Sequence, residues 1–148
     1  FIIYTDGACS NNGSHNAKAG VGIHFYPKNK KKLEDVSLKL DIEKPTNNKA
    51  ELVAIMMALN LCDKNNISDK IIIFTDSQYS IQCITLWFPD WLNKDNLKNK
   101  KNIDILRKIY SLYKKLNVQF QYIKAHTNLQ DEHSKGNNIA DSLATRCL

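Results

Sequence analysis

The sequence is poor in cysteine and contains neither a long apolar run nor a recognisable secretory signal. Its four cysteines form no C-x-x-C pair, and their wide spacing argues against a zinc site. Their apolar neighbours suggest that the thiols are reduced and partly buried, which predicts an intracellular protein. No segment reaches the roughly 20 apolar residues of a membrane span, so we expect no membrane association.

Arginine is almost absent, and lysine supplies nearly all of the positive charge. The chain has only Arg107 and Arg146, yet its formal net charge is +6 and its pI is about 9.1. A basic balance of this size indicates a polyanionic partner such as nucleic acid. Compositional drift is the alternative, because the chain is rich in Lys, Asn and Ile, as AT-rich coding would produce.

The length and the apolar content are those of one globular domain. The 148 residues, 43% of them hydrophobic, are enough to bury an ordinary core, and no internal repeat or linker is evident. The chain begins at Phe1 inside an apolar run, without Met, which suggests either a trimmed chain or a domain cut from a longer polypeptide. We therefore expect residues 1–148 to form a single domain.

Apolar patterning predicts a succession of strands and helices. Strands are expected at residues 1–5, 20–26, 33–42, 70–75 and 118–124. Helices are expected at residues 47–63, 77–87, 103–116 and 138–148, the first of them capped by Asn47 or Asn48. The segments expected to be irregular are residues 88–101 and 125–137. The order β-β-β-α-β-α-α-β-α predicts an α/β fold whose first and fourth strands are parallel neighbours.

Four carboxylates lie in short motifs that such a fold would bring together. Asp6 lies where the first strand runs into a glycine turn, and Asp76 ends the fourth strand. Glu51 falls in the first turns of its helix, where the helix dipole favours an acid, and Asp141 lies early in the last helix. Parallel pairing would place Asp6 and Asp76 at the carboxyl edge of the sheet, where α/β sheets bind ligands. Converging acids repel one another, so the site needs cations, and oxygen ligands favour Mg²⁺ or Mn²⁺.

The motifs around these acids resemble those of the type 1 ribonuclease H family, which includes cellular and retroelement members. In chain order they are Thr5-Asp6-Gly7-Ala8-Cys9, Thr46-Asn47-Asn48-Lys49-Ala50-Glu51-Leu52, Thr75-Asp76-Ser77-Gln78-Tyr79, Ala125-His126, and Gly136-Asn137 with Ala140-Asp141 and Leu143-Ala144. They keep the family's order and span essentially the whole chain. The resemblance implies a ribonuclease H-like α/β fold, with a five-stranded mixed sheet flanked by helices, in one catalytic domain over residues 1–148.

The resemblance also implies an activity, namely sequence-independent cutting of the RNA strand of an RNA–DNA hybrid, leaving 5′-phosphate and 3′-hydroxyl ends. The family's carboxylates correspond to Asp6, Glu51, Asp76 and Asp141. They are expected to be catalytic and to hold two divalent ions, Mg²⁺ or Mn²⁺, with Asp6 bridging both. His126 matches the family's loop histidine and is expected to shuttle protons or assist product release. His133 lies seven residues further on and competes for that role.

Several polar and basic residues match the family's substrate-binding positions. Asn12, Asn47 and Gln78 are expected to contact the 2′-hydroxyls that distinguish RNA from DNA. Thr46 matches a position that contacts a phosphate of the DNA strand. The segment after Trp91 resembles the family's basic protrusion and contains Lys94, Lys98, Lys100 and Lys101. Such a patch should give salt-dependent binding without sequence preference.

The chain departs from the family pattern in two places. His126 and Asp141 are fifteen positions apart, which exceeds the usual family spacing and predicts an enlarged loop around residues 128–135. The basic segment is shorter than in long-protrusion members, and Leu97 stands where an aromatic residue often falls. Binding of the DNA strand should therefore be weaker than in those members.

Two other functions stay open beside the hybrid-specific nuclease. The same fold serves integrases, transposases and junction resolvases, whose acidic clusters act on DNA. The Asn-Asn-x-x-Glu and Asp-Ser-Gln motifs favour the nuclease, because those DNA enzymes lack the 2′-hydroxyl readers. A non-catalytic binding module should have lost a carboxylate. We expect a monomeric domain, either alone or within a larger replication or reverse-transcription polypeptide.

Overall fold

A five-stranded mixed sheet forms the centre of the computed structural model, which describes residues Phe1–Leu148. Its strands are β1 (Ile2–Ser10), β2 (Lys18–Phe25), β3 (Val36–Leu40), β4 (Ile71–Thr75) and β5 (Val118–Tyr122), in the order β3-β2-β1-β4-β5. β1, β2 and β3 form an antiparallel meander, whereas β4 pairs in parallel with both β1 and β5. The predicted α/β fold and the parallel pairing of the first and fourth strands are confirmed.

Helices cover both faces of this sheet. They are α1 (Asn47–Lys64), α2 (Gln78–Gln82), a π-helical turn (Cys83–Trp87), α3 (Phe88–Asn93), α4 (Ile103–Lys115) and α5 (Glu132–Arg146). α1 packs on one face of β1 and β2 and contacts α4, while α5 packs on the other face of the same strands. None of the helices combines the length and the apolar character that a membrane crossing requires.

The largest apolar cluster fills the space between the sheet, α1 and α4. Its fully buried members include Ile3, Ile23, Leu52, Ile55, Leu59, Ile73, Leu106 and Ile109. A smaller cluster lies under α5, where the Tyr4 ring stacks on Phe74 with 5.4 Å between ring centroids. The alternation of β1 therefore sends Ile3 toward α1 and Tyr4 toward α5, and the next residues along β1 follow the same alternation.

β1 is longer than the sequence predicts. The glycine turn expected at Asp6-Gly7 is wrong, because the antiparallel ladder with β2 continues from Ile3↔Phe25 to Ser10↔Lys18. The chain turns only after Ser10. Asp6 consequently lies within a strand, where both neighbouring residues are held by pairing with β2.

α5 begins earlier than the sequence predicts. It starts at Glu132 instead of residue 138, and Asp131 caps it by accepting a hydrogen bond from the backbone nitrogen of Ser134 at 3.1 Å. The first apolar residue of this helix beyond its polar start is Ile139, so helical periodicity is invisible over residues 132–138. The enlarged loop predicted around residues 128–135 is wrong in its second half, which is helical.

The segment predicted to be irregular at residues 88–101 also begins with a helix. Pro89 lies in the first turn of α3, where a residue without a backbone N–H is tolerated. The π-helical turn before it has its last hydrogen bond from the Phe88 nitrogen to the Cys83 carbonyl. Phe88 is buried at 1% exposure and anchors this helix to the core.

We predict that Gly136→Ala destabilises the protein by about 1–3 kcal/mol, because an added Cβ at this position would overpack the core. It would lie 2.4 Å from the ring of Tyr4, which is buried. Asn138→Ala, at an exposed position of the same helix, should change stability by less than about 0.5 kcal/mol. Urea unfolding measures both. Equal stability of the two variants would contradict the close contact between α5 and Tyr4.

Candidate active site

Three carboxylates meet just beyond the point where the pairing of β1 with β4 ends. The parallel register pairs Tyr4 with Phe74, so Asp6 and Asp76 each follow two residues later on neighbouring strands. Carboxylate oxygens of Asp6, Glu51 and Asp76 all lie within 4.8 Å of one another. The convergence expected from the sequence is therefore present for these three acids, and their roles stay predictions.

Glu51 reaches this point because α1 lies unusually close to β1. A Cβ on Gly7 would stand 2.3 Å from the Glu51 nitrogen, so only glycine allows this approach. The pairing of β1 with β4 ends at Tyr4↔Phe74, and beyond it the Gly7 N–H donates to Glu51 Oε1 at 2.9 Å. Glu51 is thus 8% exposed and is oriented by the backbone of β1.

The start of α1 differs in one detail from the sequence prediction. Thr46, and neither Asn47 nor Asn48, is the N-cap, because its hydroxyl accepts a hydrogen bond from the Lys49 nitrogen at 3.1 Å. Glu51 is then the fifth residue of the helix and lies past the first turn. Its place is explained by the contact with Gly7, and compensation of the helix dipole is not needed to account for it.

The second oxygen of Glu51 has no partner. Oε2 is fully enclosed and accepts no hydrogen bond. A buried charged oxygen without a donor is costly, and a cation satisfies it. The donor set around it consists of carboxylates alone, which suits hard divalent ions such as Mg²⁺ and Mn²⁺. The residues present therefore fit a divalent metal.

Burial and mutual repulsion hold protons on the cluster. Burial is the main cause of the raised pKa of Asp6, and the adjacent carboxyl of Glu51 and the charge of Asp76 raise it further. Burial also raises the pKa of Glu51, although the adjacent carboxyl of Asp6 partly opposes it. Binding of a divalent ion must therefore displace protons from these acids.

Asp141 extends the cluster from α5. Burial raises the pKa of Asp76 most, a hydrogen bond from Asn137 lowers it in part, and the charge of Asp141 raises it again. Asp141 also raises the pKa of Asp6 slightly, so it lies near that acid as well. All four predicted acids thus influence one another, with Asp141 outside the tight group of three.

The two histidines that compete for the loop role occupy different environments. His126 is exposed in the connection between β5 and α5, and its backbone has a left-handed φ of 53°. It is close enough to Asp76 that its charge lowers the pKa of that acid against the larger effect of burial. His133 instead stacks on Phe74 at 4.2 Å, and its Nδ1 lies 2.7 Å from the Tyr4 hydroxyl. His133 is therefore a packing residue, which leaves His126 as the candidate.

A groove of about 610 Å³ opens at the start of α1, one turn from Glu51. Four predicted substrate contacts line it, namely Asn12, Thr46, Asn47 and Lys101. Asn12 Oδ1 accepts a hydrogen bond from the Asn47 nitrogen at 2.8 Å, which joins the loop after β1 to the helix start. The groove also contains residues to which the sequence analysis gave no role, among them Lys44, Lys49, Tyr79 and Asn102.

The remaining predicted substrate residues lie outside this groove. Gln78 is the exposed first residue of α2. Lys94 pairs with Asp90 at 3.3 Å, Lys98 is exposed, and Lys100 lies over the Trp91 ring at 5.0 Å. The basic segment is thus a surface beside the groove, and Leu97 packs against the core.

Asn137 belongs to the Gly136-Asn137 motif, but no role was predicted for it; its Nδ2 donates to Asp76 Oδ2 at 3.3 Å. It stands four residues before Asp141 and so shares a helix face with that acid. This spacing was the available signal, but it was hidden because the start of α5 was placed after residue 137.

Comparisons with known proteins agree with the geometry. The family model described as RNase H matches residues 1–148. The chain is 36% identical to a ribonuclease H of Ruthia magnifica, over 99% of this chain and 94% of that protein. It is also 36% identical to the ribonuclease H of Schizosaccharomyces pombe, over 98% of this chain. The chain spans only 52% of the length of that relative.

The solved structures with the same fold include foamy virus proteins. The RNase H domain of PFV is 27% identical, with a TM-score of 0.77 over 99% of this chain and 92% of that chain. The foamy viral protease–reverse transcriptase, solved in complex with an RNA/DNA hybrid, is 25% identical with a TM-score of 0.71. The match extends over 99% of this chain but only 19% of that larger polypeptide.

We predict that Asp6→Asn stabilises the metal-free protein at neutral pH. Because the pKa of Asp6 is raised in the folded protein, the folded state binds a proton more tightly than the unfolded state. The resulting stability is fully present below the unfolded-state pKa of about 4 and is lost as the pH rises toward the folded-state pKa. Removing the charge should therefore add about 1–2 kcal/mol at pH 7.5, or roughly 2–6 °C in Tm.

Thermal unfolding in EDTA between pH 5 and pH 8 measures this effect. The wild-type Tm should fall with rising pH more steeply than that of Asp6→Asn. Asp69→Asn changes an exposed aspartate and should follow the wild type. If Asp6→Asn is less stable than the wild type at pH 7.5, then the carboxyl of Asp6 does not destabilise the folded protein at that pH.

Proposed function

Because the chain belongs to the ribonuclease H family, we propose that residues 1–148 form a single catalytic domain that hydrolyses the RNA strand of RNA–DNA hybrids. The observation that carries this proposal is the group of Asp6, Glu51 and Asp76, whose carboxylate oxygens lie within 4.8 Å of one another. A groove lined by Asn12 and Asn47 begins one helical turn away. The domain would act as a monomer, alone or within a longer polypeptide.

The acids are proposed to hold two divalent ions, Mg²⁺ or Mn²⁺. Such ions would supply an activated water and stabilise the departing 3′ oxygen, which leaves 5′-phosphate and 3′-hydroxyl ends. Asp6 is the shared ligand in this proposal, because the other acids approach it from both faces of the sheet. The Gly7 amide keeps Glu51 pointed at the site, and Asp141 adds negative charge from α5.

His126 is proposed to carry protons between the site and solvent. Its exposure allows it to exchange protons with water, and an imidazole can both accept and donate a proton. Its charge reaches Asp76, so it stands on the side of the cluster nearest that acid. Release of the cleaved strand from the loop side is a second task that suits this position.

The groove is proposed to bind the hybrid by two sets of contacts. Asn12, Asn47 and Gln78 would contact 2′-hydroxyls of the RNA strand, which is the group that identifies RNA. Thr46 would contact a phosphate of the DNA strand. The basic surface beside the groove, made of Lys94, Lys98, Lys100 and Lys101, would contribute phosphate contacts without base readout.

A DNA-cutting enzyme and a non-catalytic binding module are the rivals. One assay separates them, in which labelled RNA–DNA hybrid, double-stranded RNA and double-stranded DNA are each incubated with Mg²⁺ or with EDTA. We expect metal-dependent cutting of the RNA strand in the hybrid alone. Cutting of double-stranded DNA supports the first rival, and binding without any cutting supports the second.

Asp76→Asn should reduce the cutting rate by more than about 100-fold while leaving hybrid binding largely intact. The expected loss is large because removing even an outer partner of a metal ligand typically costs 10–100-fold. Single-turnover cleavage and a binding titration in EDTA measure the two effects. Asp69→Asn is the exposed control, and wild-type cutting by Asp76→Asn would rule out the catalytic assignment.

The combined change of Lys98, Lys100 and Lys101 to Ala should weaken hybrid binding and flatten its salt dependence. For each lysine that binds a phosphate, its removal should reduce the slope of log K against log salt by roughly 0.7–0.9. The matched control changes Lys28, Lys30 and Lys31, which lie in the connection between β2 and β3. That connection is at the opposite end of the sheet, so the control removes the same charge and should keep the slope. Identical slopes in the two triple variants would show that the basic surface does not contact the hybrid.

A further inference from the structure

Asn137 is a buried polar residue on the side of α5 that faces the acids. Its exposure is 2%, and it lies one helical turn before Asp141. The preceding residue, Gly136, lies against the ring of Tyr4 and brings this turn of α5 down onto the sheet. A buried side-chain amide is expected to have hydrogen-bond partners for both of its polar atoms.

Only one of those two atoms has a partner. Nδ2 donates to Asp76 Oδ2 at 3.3 Å, whereas Oδ1 is fully enclosed and accepts no hydrogen bond. An unpaired buried acceptor is a cost to folding, and an apolar residue of similar size would avoid it. The amide is therefore poorly explained by packing alone, and its one contact is to an acid of the cluster.

Asp76 accepts that hydrogen bond in a crowded acidic environment. It lies just after the end of β4, and the charges around it include Asp6 and Asp141, which repel it. Asn137 is the side chain that donates a hydrogen bond to this carboxylate. Without the amide, repulsion would favour a rotamer that turns Asp76 away from the other acids.

We propose that Asn137 is a positioning residue of the cation site, which fixes the Asp76 carboxylate in the direction that faces Asp6 and Glu51. The proposal rests on the proposed function, because it takes the acids to be cation ligands. The unpaired Oδ1 is an acceptor available to a water that a bound Mg²⁺ would retain. Partners of this kind orient metal ligands in many proteins, and their loss weakens metal binding.

The test is a calorimetric titration of the protein with Mn²⁺ in the absence of nucleic acid. Asn137→Ala should bind Mn²⁺ roughly 10–100-fold more weakly than the wild type. Asn138→Ala removes the same side chain from the adjacent, exposed position and should bind with wild-type affinity. Saturating Mn²⁺ should leave the KM of Asn137→Ala for the hybrid unchanged, because the groove is untouched. A folded Asn137→Ala protein with wild-type Mn²⁺ affinity would overturn the proposal.

A second measurement on the wild type covers the case in which Asn137→Ala does not fold. The side-chain amide protons of Asn137 should exchange slowly with solvent and shift in the NMR spectrum when Mg²⁺ is added. The same signals in Asp76→Asn should not shift with Mg²⁺. Fast exchange of the Asn137 amide, as expected for the exposed Asn138, or no response to Mg²⁺ in the wild type would overturn the proposal.

These readouts separate the proposal from the proposed function. A protein that cuts the hybrid normally, while Asn137→Ala keeps full Mn²⁺ affinity, disproves the role of Asn137 alone. A protein that cuts nothing, while its Mn²⁺ affinity depends on both Asp76 and Asn137, disproves the nuclease and retains the positioning role.

Discussion

Two buried carboxylates and one half-buried carboxylate, whose oxygens lie within 4.8 Å of one another, are the constraint to which the rest of the structure is fitted. Like charges at such a separation repel, and burial removes the water that would screen them. The fold places hydrogen-bond donors beside two of the acids: the Gly7 amide donates to Glu51, and the Asn137 side chain donates to Asp76. These donors set the directions of the carboxylates but do not remove their mutual repulsion, so protons remain on the cluster. A cation that replaces those protons would relieve the repulsion, which is the condition in which a site binds cations.

Bringing donors and acids to one point requires both helical layers to approach the sheet closely. On one face, Gly7 allows the backbone of α1 to lie against β1. On the other face, a Cβ on Gly22 would stand 2.1 Å from the Ala140 carbonyl, immediately before Asp141 in α5. Gly22 is also the partner of Asp6 in the β1–β2 ladder. Two missing Cβ atoms, one on each side of the sheet, thus allow side chains from opposite layers to meet at the same strand.

Much of this arrangement could be predicted from the sequence, because it depends on topology. An Asp was expected at the end of each of two parallel neighbouring strands, so Asp6 and Asp76 could be placed together from the strand order. The details that failed depend on local competition. Thr46 stands beside two asparagines that can also cap a helix. The position of Glu51 depends on its contact with Gly7, which is distant in the sequence. No role was predicted for Asn137 because the first turns of α5 are polar, so hydrophobic periodicity could not show that the helix had begun.

Lysines and acids lie close together near the start of α1. Under the proposed function, this proximity couples binding of the hybrid to binding of the cations. Lys49 and Lys101 line the groove, and Glu51 lies one helical turn from its asparagine-lined wall. Lysines attract a polyanion, whereas ionised acids repel the phosphate that would have to approach them most closely. Under the proposed function, cations bound at the acids would therefore favour entry of the hybrid. Because linkage between two ligands is reciprocal, a hybrid bound in the groove would then raise the affinity of the acids for cations by the same factor.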